Sequence, residues 1–454
     1  MSRRPAAVVA VVALLVLSSV GGVAQVGDSS STPSPSASAS NAPPADSYVI
    51  EQDGFCQQIE PLSSGGTVES FYDYRNHETH PEGVDRMYSS YGTEHLQEDD
   101  TSILFLHEGT DGLSLVTIHD QVDGNSTGGV ATFDIVGLPA ESEWVVQDDN
   151  YTGETNMAEW YGGDGWLGAS WIWSDERTDG GAINGGLNDA FAMTIHPAFN
   201  EDAEHYDNDE LYDPDFHDDG EINDWEILSG DADNPDRTAI PSLDEPVTIR
   251  TGTCDGPSIS YDLLGGGSGE DAADTGLAAT IEGASSDDQI HLRPTAGSVD
   301  EVRFDDVYVS GLDGDTTVTF ENNHPDDLPG SPDDVPGLGS LAVSGEPTLE
   351  NLSATVMFTV DETVLEEHEI APEDVSLYER ADGAAWNEST TEYQGSSGST
   401  HEYAASVDTL EGLTVAQAQP EPESGLSAMP GFGGLGALVA LAALIGLLAV
   451  RYRE

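Results

Sequence analysis

The chain of 454 residues contains no lysine; its twelve basic residues are all arginine. That absence excludes a P-loop lysine, a Schiff-base lysine and a kinase-type lysine. Set against 86 Asp and Glu, the arginines leave a formal charge of −74. Two Arg sit near each end, and the eight in between cannot form the basic face that a nucleic-acid partner requires. Cysteine is almost missing: Cys56 and Cys254 are the only two, so there is no Cys-based zinc site. Neither His-Glu-x-x-His nor Gly-x-Ser-x-Gly occurs, which leaves a zinc hydrolase and an α/β-hydrolase serine without support. The closest histidine spacing is His77-Glu78-Thr79-His80, while His107 and His119 flank strand ends and are read either as neighbours in space or as separate core or surface side chains. No pair of carboxylates stands out for glycoside hydrolysis, because acids occur everywhere.

Hydrophobic residues, Gly not counted, make up 37% of the chain, set against 86 acidic residues. At low salt this balance would signal disorder. Aromatics and alternating apolar runs nevertheless persist, so the chain reads as an acidic folded protein. Its self-repulsion becomes tolerable where the Debye length is ~3 Å, near 1 M salt. The composition is that of an extreme halophile.

The runs that persist are short, β-branched and aromatic, as in Ser102-Ile103-Leu104-Phe105-Leu106 and Val130-Ala131-Thr132-Phe133-Asp134-Ile135-Val136. Gly/Asp clusters such as Gly109-Thr110-Asp111-Gly112 bound them. Many short strands between such turns predict a mostly β protein with two β-sandwich-like domains. The first domain is expected at 48–260 and the second at 276–416, with a Gly/acidic linker at 261–275. Within the second, Ala354-Thr355-Val356-Met357-Phe358-Thr359-Val360 alternates as a strand with one buried face does.

Cys56 and Cys254 lie at the two ends of the first domain, and in an exported chain they read as a disulfide. Residues 215–226 follow the register of an EF-hand loop, with Asp215, Asp219, Glu221, Asn223 and Glu226 as candidate calcium ligands and Gly220 at the sharp turn. His217 breaks the pattern, so the stretch is read as a calcium loop or as a solvated acidic loop. Trp160, Trp166, Trp171 and Trp173 cluster among Gly and Asp; they supply either core or a ligand platform for stacking on sugars. Asn125, Asn150, Asn351 and Asn387 head N-glycosylation sequons beside expected turns and strand ends.

The ends carry an address. Residues 1–24 have Arg3 and Arg4, a short apolar run and Gly22-Val23-Ala24 before Gln25, the layout of a cleaved signal peptide. Residues 25–47 are rich in Ser, Pro and Ala and read as a stalk. A Pro/Glu linker at 417–428 leads to Pro430-Gly431-Phe432, an apolar run at 433–450, and Arg451 and Arg453. As a helix that run would be ~27 Å long, just enough for a hydrocarbon core of ~30 Å, and the arginines put its end on the cytoplasmic side.

Tripeptide, apolar helix and Arg cluster, in that order, resemble the PGF-CTERM sorting signal of haloarchaeal surface proteins. The strands at 276–416 resemble the PGF-pre-PGF domain that precedes it, although Gly412-Leu413-Thr414-Val415 stands where that family has a Gly-Phe-Ser turn. The resemblance implies cleavage by an archaeosortase and attachment to a membrane lipid after passage through the export machinery. It places the mature protein on the outer face of the membrane, in the cell envelope. Its expected role there is structural or interactive, with the S-layer or an envelope glycan as partner. The alternative is a surface-anchored glycan- or ligand-binding protein or hydrolase that uses the first domain.

Overall fold

The computed structural model describes residues 47–80, 87–152, 157–206, 221–264, 276–294, 302–323, 332, 337–346, 349, 352–380 and 385–419. The signal peptide at 1–24, the sorting signal at 429–454 with its helix at 433–450, and all of the stalk but Ser47 lie outside them. Among the described residues strand outweighs helix by 56% to 6%, so the protein is mostly β, with several sheets. The two α-helices among the described residues, Val68–Tyr72 and Glu362–Glu367, are single short turns. Each begins on a polar cap: Thr67 accepts from the Ser70 amide at 3.3 Å and Asp361 from the Thr363 amide at 2.8 Å. No helix among the described residues is long and apolar enough to cross a membrane.

The first region is built on two sheets. One runs Ala158–Gly163, Trp166–Ser174, Gly128–Val136, Ala192–Phe199, Val247–Thr251, Tyr48–Gln52, Phe55–Ile59, antiparallel throughout. The other runs Asp236–Ala239, Asp224–Ser229, Thr101–Gly109, Gly112–His119, Asp179–Asn184, Glu143–Gln147, and Leu62–Ser63 also pairs with Thr101–Gly109. The sheets share one core. Phe133, Ile135, Trp171 and Ile249 of the first meet Leu104, Leu106, Leu115, Ile183 and Trp225 of the second. The intervening side chains of the second sheet, Ile103, Phe105, Val116, Ile118 and Ala182, form a separate core on its other face, under Tyr72 of the helix Val68–Tyr72, Leu62 and Leu96. This sheet is therefore buried on both faces.

Tight turns set its register. The hairpin Thr101–Gly109 to Gly112–His119 closes at Gly112, whose φ is 97°; a Cβ there would come within 2.6 Å of the Asn188 amide. Gly180, at φ 149°, brings its strand so close to Thr117 that a Cβ would lie 2.2 Å from the Thr117 carbonyl oxygen.

The second region also has two sheets on one core. Their orders are Ser258–Leu263, Leu277–Ala284, Gly314–Asn323, Gly337–Glu346, Gly412–Gln417, Val375–Glu379, Asn387–Glu388, and Gln289–Leu292, Val302–Ser310, Ser353–Asp361, Thr400–Val407, Thr390–Ser397. Phe320, Leu341, Leu377 and Val415 of one pack with Val307, Val356, Phe358 and Tyr403 of the other. Residues 412–415 lie in a central strand between Gly337–Glu346 and Val375–Glu379.

The strand Ser258–Leu263 falls where the sequence suggested the end of the first domain and the start of the linker. It pairs along its full length with Leu277–Ala284 and so belongs to the second region's sheet. Its Tyr261 is the joint between regions. The Tyr261 amide donates to Thr194 Oγ1 at 2.8 Å, and its hydroxyl accepts from the Arg293 amide at 3.0 Å. Val136, Trp166 and Ala192 join the second region's core around it, and Arg303 reaches Asp164 at 3.2 Å.

Candidate functional site

Cys56 and Cys254 form a disulfide, with 5.8 Å between their Cα atoms across a sequence separation of 198. The strand order brings them together: Tyr48–Gln52 pairs with Val247–Thr251 on one side and with Phe55–Ile59 on the other. Beside the bridge Arg250 is buried and donates to both Glu51 oxygens, at 2.6 and 2.8 Å. Asn125, Asn150 and Asn387 are exposed, as glycosylation requires. Asn351 lies outside the described residues, as do Asp215 and Asp219.

The rest of the EF-hand register departs from a calcium loop. Glu221 and Asn223 are exposed, and Glu226 lies in the strand Asp224–Ser229, where it accepts from Arg237 Nε at 2.6 Å. A carboxylate held in a ladder and neutralised by a guanidinium is not available to close a coordination shell. Ile222 is buried at 2% exposure, which pulls the chain into the core at that point. Among the described residues no group of three or more His, Cys, Asp or Glu has metal-holding geometry.

The tryptophans serve the core. Trp166, Trp171 and Trp173 are buried, and half-buried Trp160 packs edge-on against Trp144 and Trp171, with ring centroids 4.9 and 5.5 Å apart. They therefore form no open platform. Trp173 is pinned by its Nε1 donating to Asp120 Oδ2 at 3.0 Å and by His119 stacked at 5.4 Å. His107 and His119 do not meet. The hairpin register pairs Ser102 with His119 and His107 with Ser114, so they occupy opposite ends. His119 is fully buried, within 3.0 Å of Ser102 Oγ, and burial drives its pKa down to about 3, which keeps the ring neutral.

A second constellation was hidden among the many acids. The end of Glu143–Gln147 carries the chain into Asp148 and Asp149, and the neighbouring strand opens with Asp179. Asp148 and Asp179 are fully buried and Asp149 is 6% exposed. Tyr72 donates to Asp148 Oδ2 at 2.8 Å, and Tyr74 to Asp149 Oδ1 at 3.3 Å. Asp179 Oδ1 accepts from the Gly180 amide at 3.0 Å, while its Oδ2 has no partner among the described residues. Burial first, then mutual repulsion, raises the pKa of Asp148 and Asp179; burial pushes Asp149 up to about 6, with the Arg177 charge acting the other way. Such a cluster is relieved by holding protons.

Next to it opens a cavity of about 260 Å³, bounded by Tyr88, Asp149, Tyr151, Met157, Trp173 and Arg177 among others. Burial inside a fold sets these acids, with Asp120 and Asp134, apart from the rest, and no local pattern reports it. No protein-family model, no curated protein and no solved structure matches the chain.

Proposed function

We propose that the chain is an exported, acidic, glycosylated cell-surface protein of a haloarchaeon, cleaved at Pro430-Gly431-Phe432 and lipid-anchored on the outer face of the membrane. Its two β-sandwich-like domains have a structural or interaction role in the cell envelope. The observation that carries this reading is the Cys56–Cys254 bridge. Disulfides persist in oxidising compartments outside the cytoplasm, which accords with a leader at 1–24. The exposure of Asn125, Asn150 and Asn387 supports the glycoprotein part. A charge of −74 without a single Lys supports life at molar salt. A second reading, a surface-anchored ligand-binding protein using the first domain, is favoured by the cavity beside Asp149.

Mass spectrometry of the protein from the surface of its native host tests the first reading. The expected result is a chain ending at the tripeptide and carrying a prenyl-type lipid. Recovery of the peptide through Glu454 from mature surface protein would overturn it. Replacing Pro430 and Gly431 should leave the full-length form uncut.

A further inference from the structure

We infer that the cavity bounded by Tyr88, Asp149, Tyr151, Met157, Trp173 and Arg177 binds one neutral sugar ring. Its size sets the scale. At about 260 Å³ it falls below the ~300–1,000 Å³ of pockets that take drug-sized ligands, and suits a single ring. Its walls are aromatic. The Tyr88 and Tyr151 rings lie 5.3 Å apart, and the Tyr88 hydroxyl is 2.9 Å from His77 Nδ1, which fixes that wall. Trp173 borders the cavity as a buried ring, locked by Asp120 and backed by Gly129, where a Cβ would lie 2.6 Å from the indole.

Polar groups choose among small ligands. Arg177 only donates hydrogen bonds and an ionised Asp149 only accepts them. The two feel each other's charge, yet they are farther apart than the 4.0 Å of a direct ion pair. A hydroxyl both donates and accepts, so adjacent hydroxyls of a sugar satisfy both groups at once. An anion would meet the Asp149 carboxylate. An ammonium group would meet Arg177. A neutral polyhydroxy ring avoids both conflicts and offers its C–H face to the aromatic walls.

Backbone strain collects at the same place. Tyr88 has φ 65° and Asp149 φ 60°, and Glu176, next to Arg177, has φ 58°. Left-handed geometry is uncommon for any residue with a Cβ and a true outlier for a bulky one such as Tyr88. It persists where the surrounding structure over-determines it, which is characteristic of ligand clamps. Tyr88 and Asp149 both line the cavity.

The inference holds whatever anchors the chain, so its test is independent of how the C-terminus is processed. The full mature protein, in molar salt, is titrated with methyl glycosides of glucose, galactose and mannose, with glucuronate and glucosamine as charged controls. Saturation-transfer NMR and tryptophan fluorescence report binding. At least one neutral glycoside should bind saturably. Arg177→Ala and Tyr151→Ala should each weaken it at least about tenfold, the scale of one charge-assisted hydrogen bond or one lost ring contact. Tyr393→Ala, at a ring 42% exposed in the second region, should change nothing. If Arg177→Ala lowers the melting midpoint, Arg177→Gln keeps the stem and serves instead. The idea is overturned if no neutral glycoside binds, if only a charged control binds, or if binding survives both substitutions in folded protein.

Discussion

The two regions of this molecule use the same material, short strands in paired sheets, and bury it differently. In the second region Val302–Ser310 alternates buried and half-buried residues along most of its length. In the first, every residue of Gly128–Val136 is buried, as are the first seven of Thr101–Gly109. For Thr101–Gly109 the cause lies outside the strand. The helix Val68–Tyr72 and the short turn Glu94–Leu96 cover the outer face of Thr101–Gly109 and its neighbours, so positions that a strand pattern would leave wet become interior. Asp120, Asp134, Asp148, Asp149 and Asp179 are all buried in the first region, whereas among the described residues of the second the buried charged side chain is Arg293. Covering a sheet on both sides makes room for a polar interior; covering one side does not.

Salt should act on both regions alike, and strongly. As the Debye length grows from ~3 Å near 1 M to ~10 Å at 0.1 M, each surface carboxylate feels more neighbours. The expected outcome is expansion or unfolding on dialysis into dilute buffer, seen as loss of the strand signal in circular dichroism. An unchanged thermal midpoint would contradict this account of the charge.

Breaking the disulfide should separate the regions. Cys254→Ser opens a loop spanning a sequence separation of 198, which in the chain-entropy picture costs about 5 kcal/mol. Six of the seven Trp lie in the first region, with Trp386 the exception, so tryptophan fluorescence reports that region almost alone. Its midpoint should fall well before the total strand signal is lost. Loss of both signals together would show that the Tyr261 joint welds the regions into one cooperative unit.

The smallest effect concerns the buried acids. Carboxyls whose folded pKa is raised bind more protons in the folded state, so the stability they confer is complete below the unfolded value near 3.8 and is lost as pH rises through the folded one. Asp149 places part of that loss near pH 6. The buried histidines His107, His119 and His205 have lowered values and work in the opposite direction below about pH 6.5. Asp179→Asn isolates the acids. It should be nearly neutral at pH 4 and stabilise by about 1–3 kcal/mol at pH 8, the scale of an uncompensated buried polar group. A gain that does not grow with pH would mean the cluster is already neutralised by something else.

Particular elements show how far the sequence could be read. The alternation of 354–360 and the Gly/Asp punctuation around Gly112 name strands and turns because they are local. The disulfide was legible because two cysteines leave one pairing. The edge strand Ser258–Leu263 was assigned across the wrong boundary because a strand of six residues looks the same in either sheet, and pairing with Leu277–Ala284 decides it. The EF-hand register matched in residue type, but its closing Glu226 accepts from Arg237, a partner eleven residues on that no loop pattern reports, while Asp215 and Asp219 lie outside the described residues.

Composition and short-range pattern thus determined what depends on neighbours in sequence or on the sum of the chain: the β character, the turns, the charge, and the pairing of the cysteines. Only the tertiary structure decided which of 86 acids are interior, which tryptophans are core, and which residues share a cavity. Asp148, Asp149 and Asp179 read like any other acids until Tyr72 and Tyr74 are brought over them. A carboxyl's properties are set by the dielectric and the charges within a few ångströms, and those neighbours come from strands far apart in the chain.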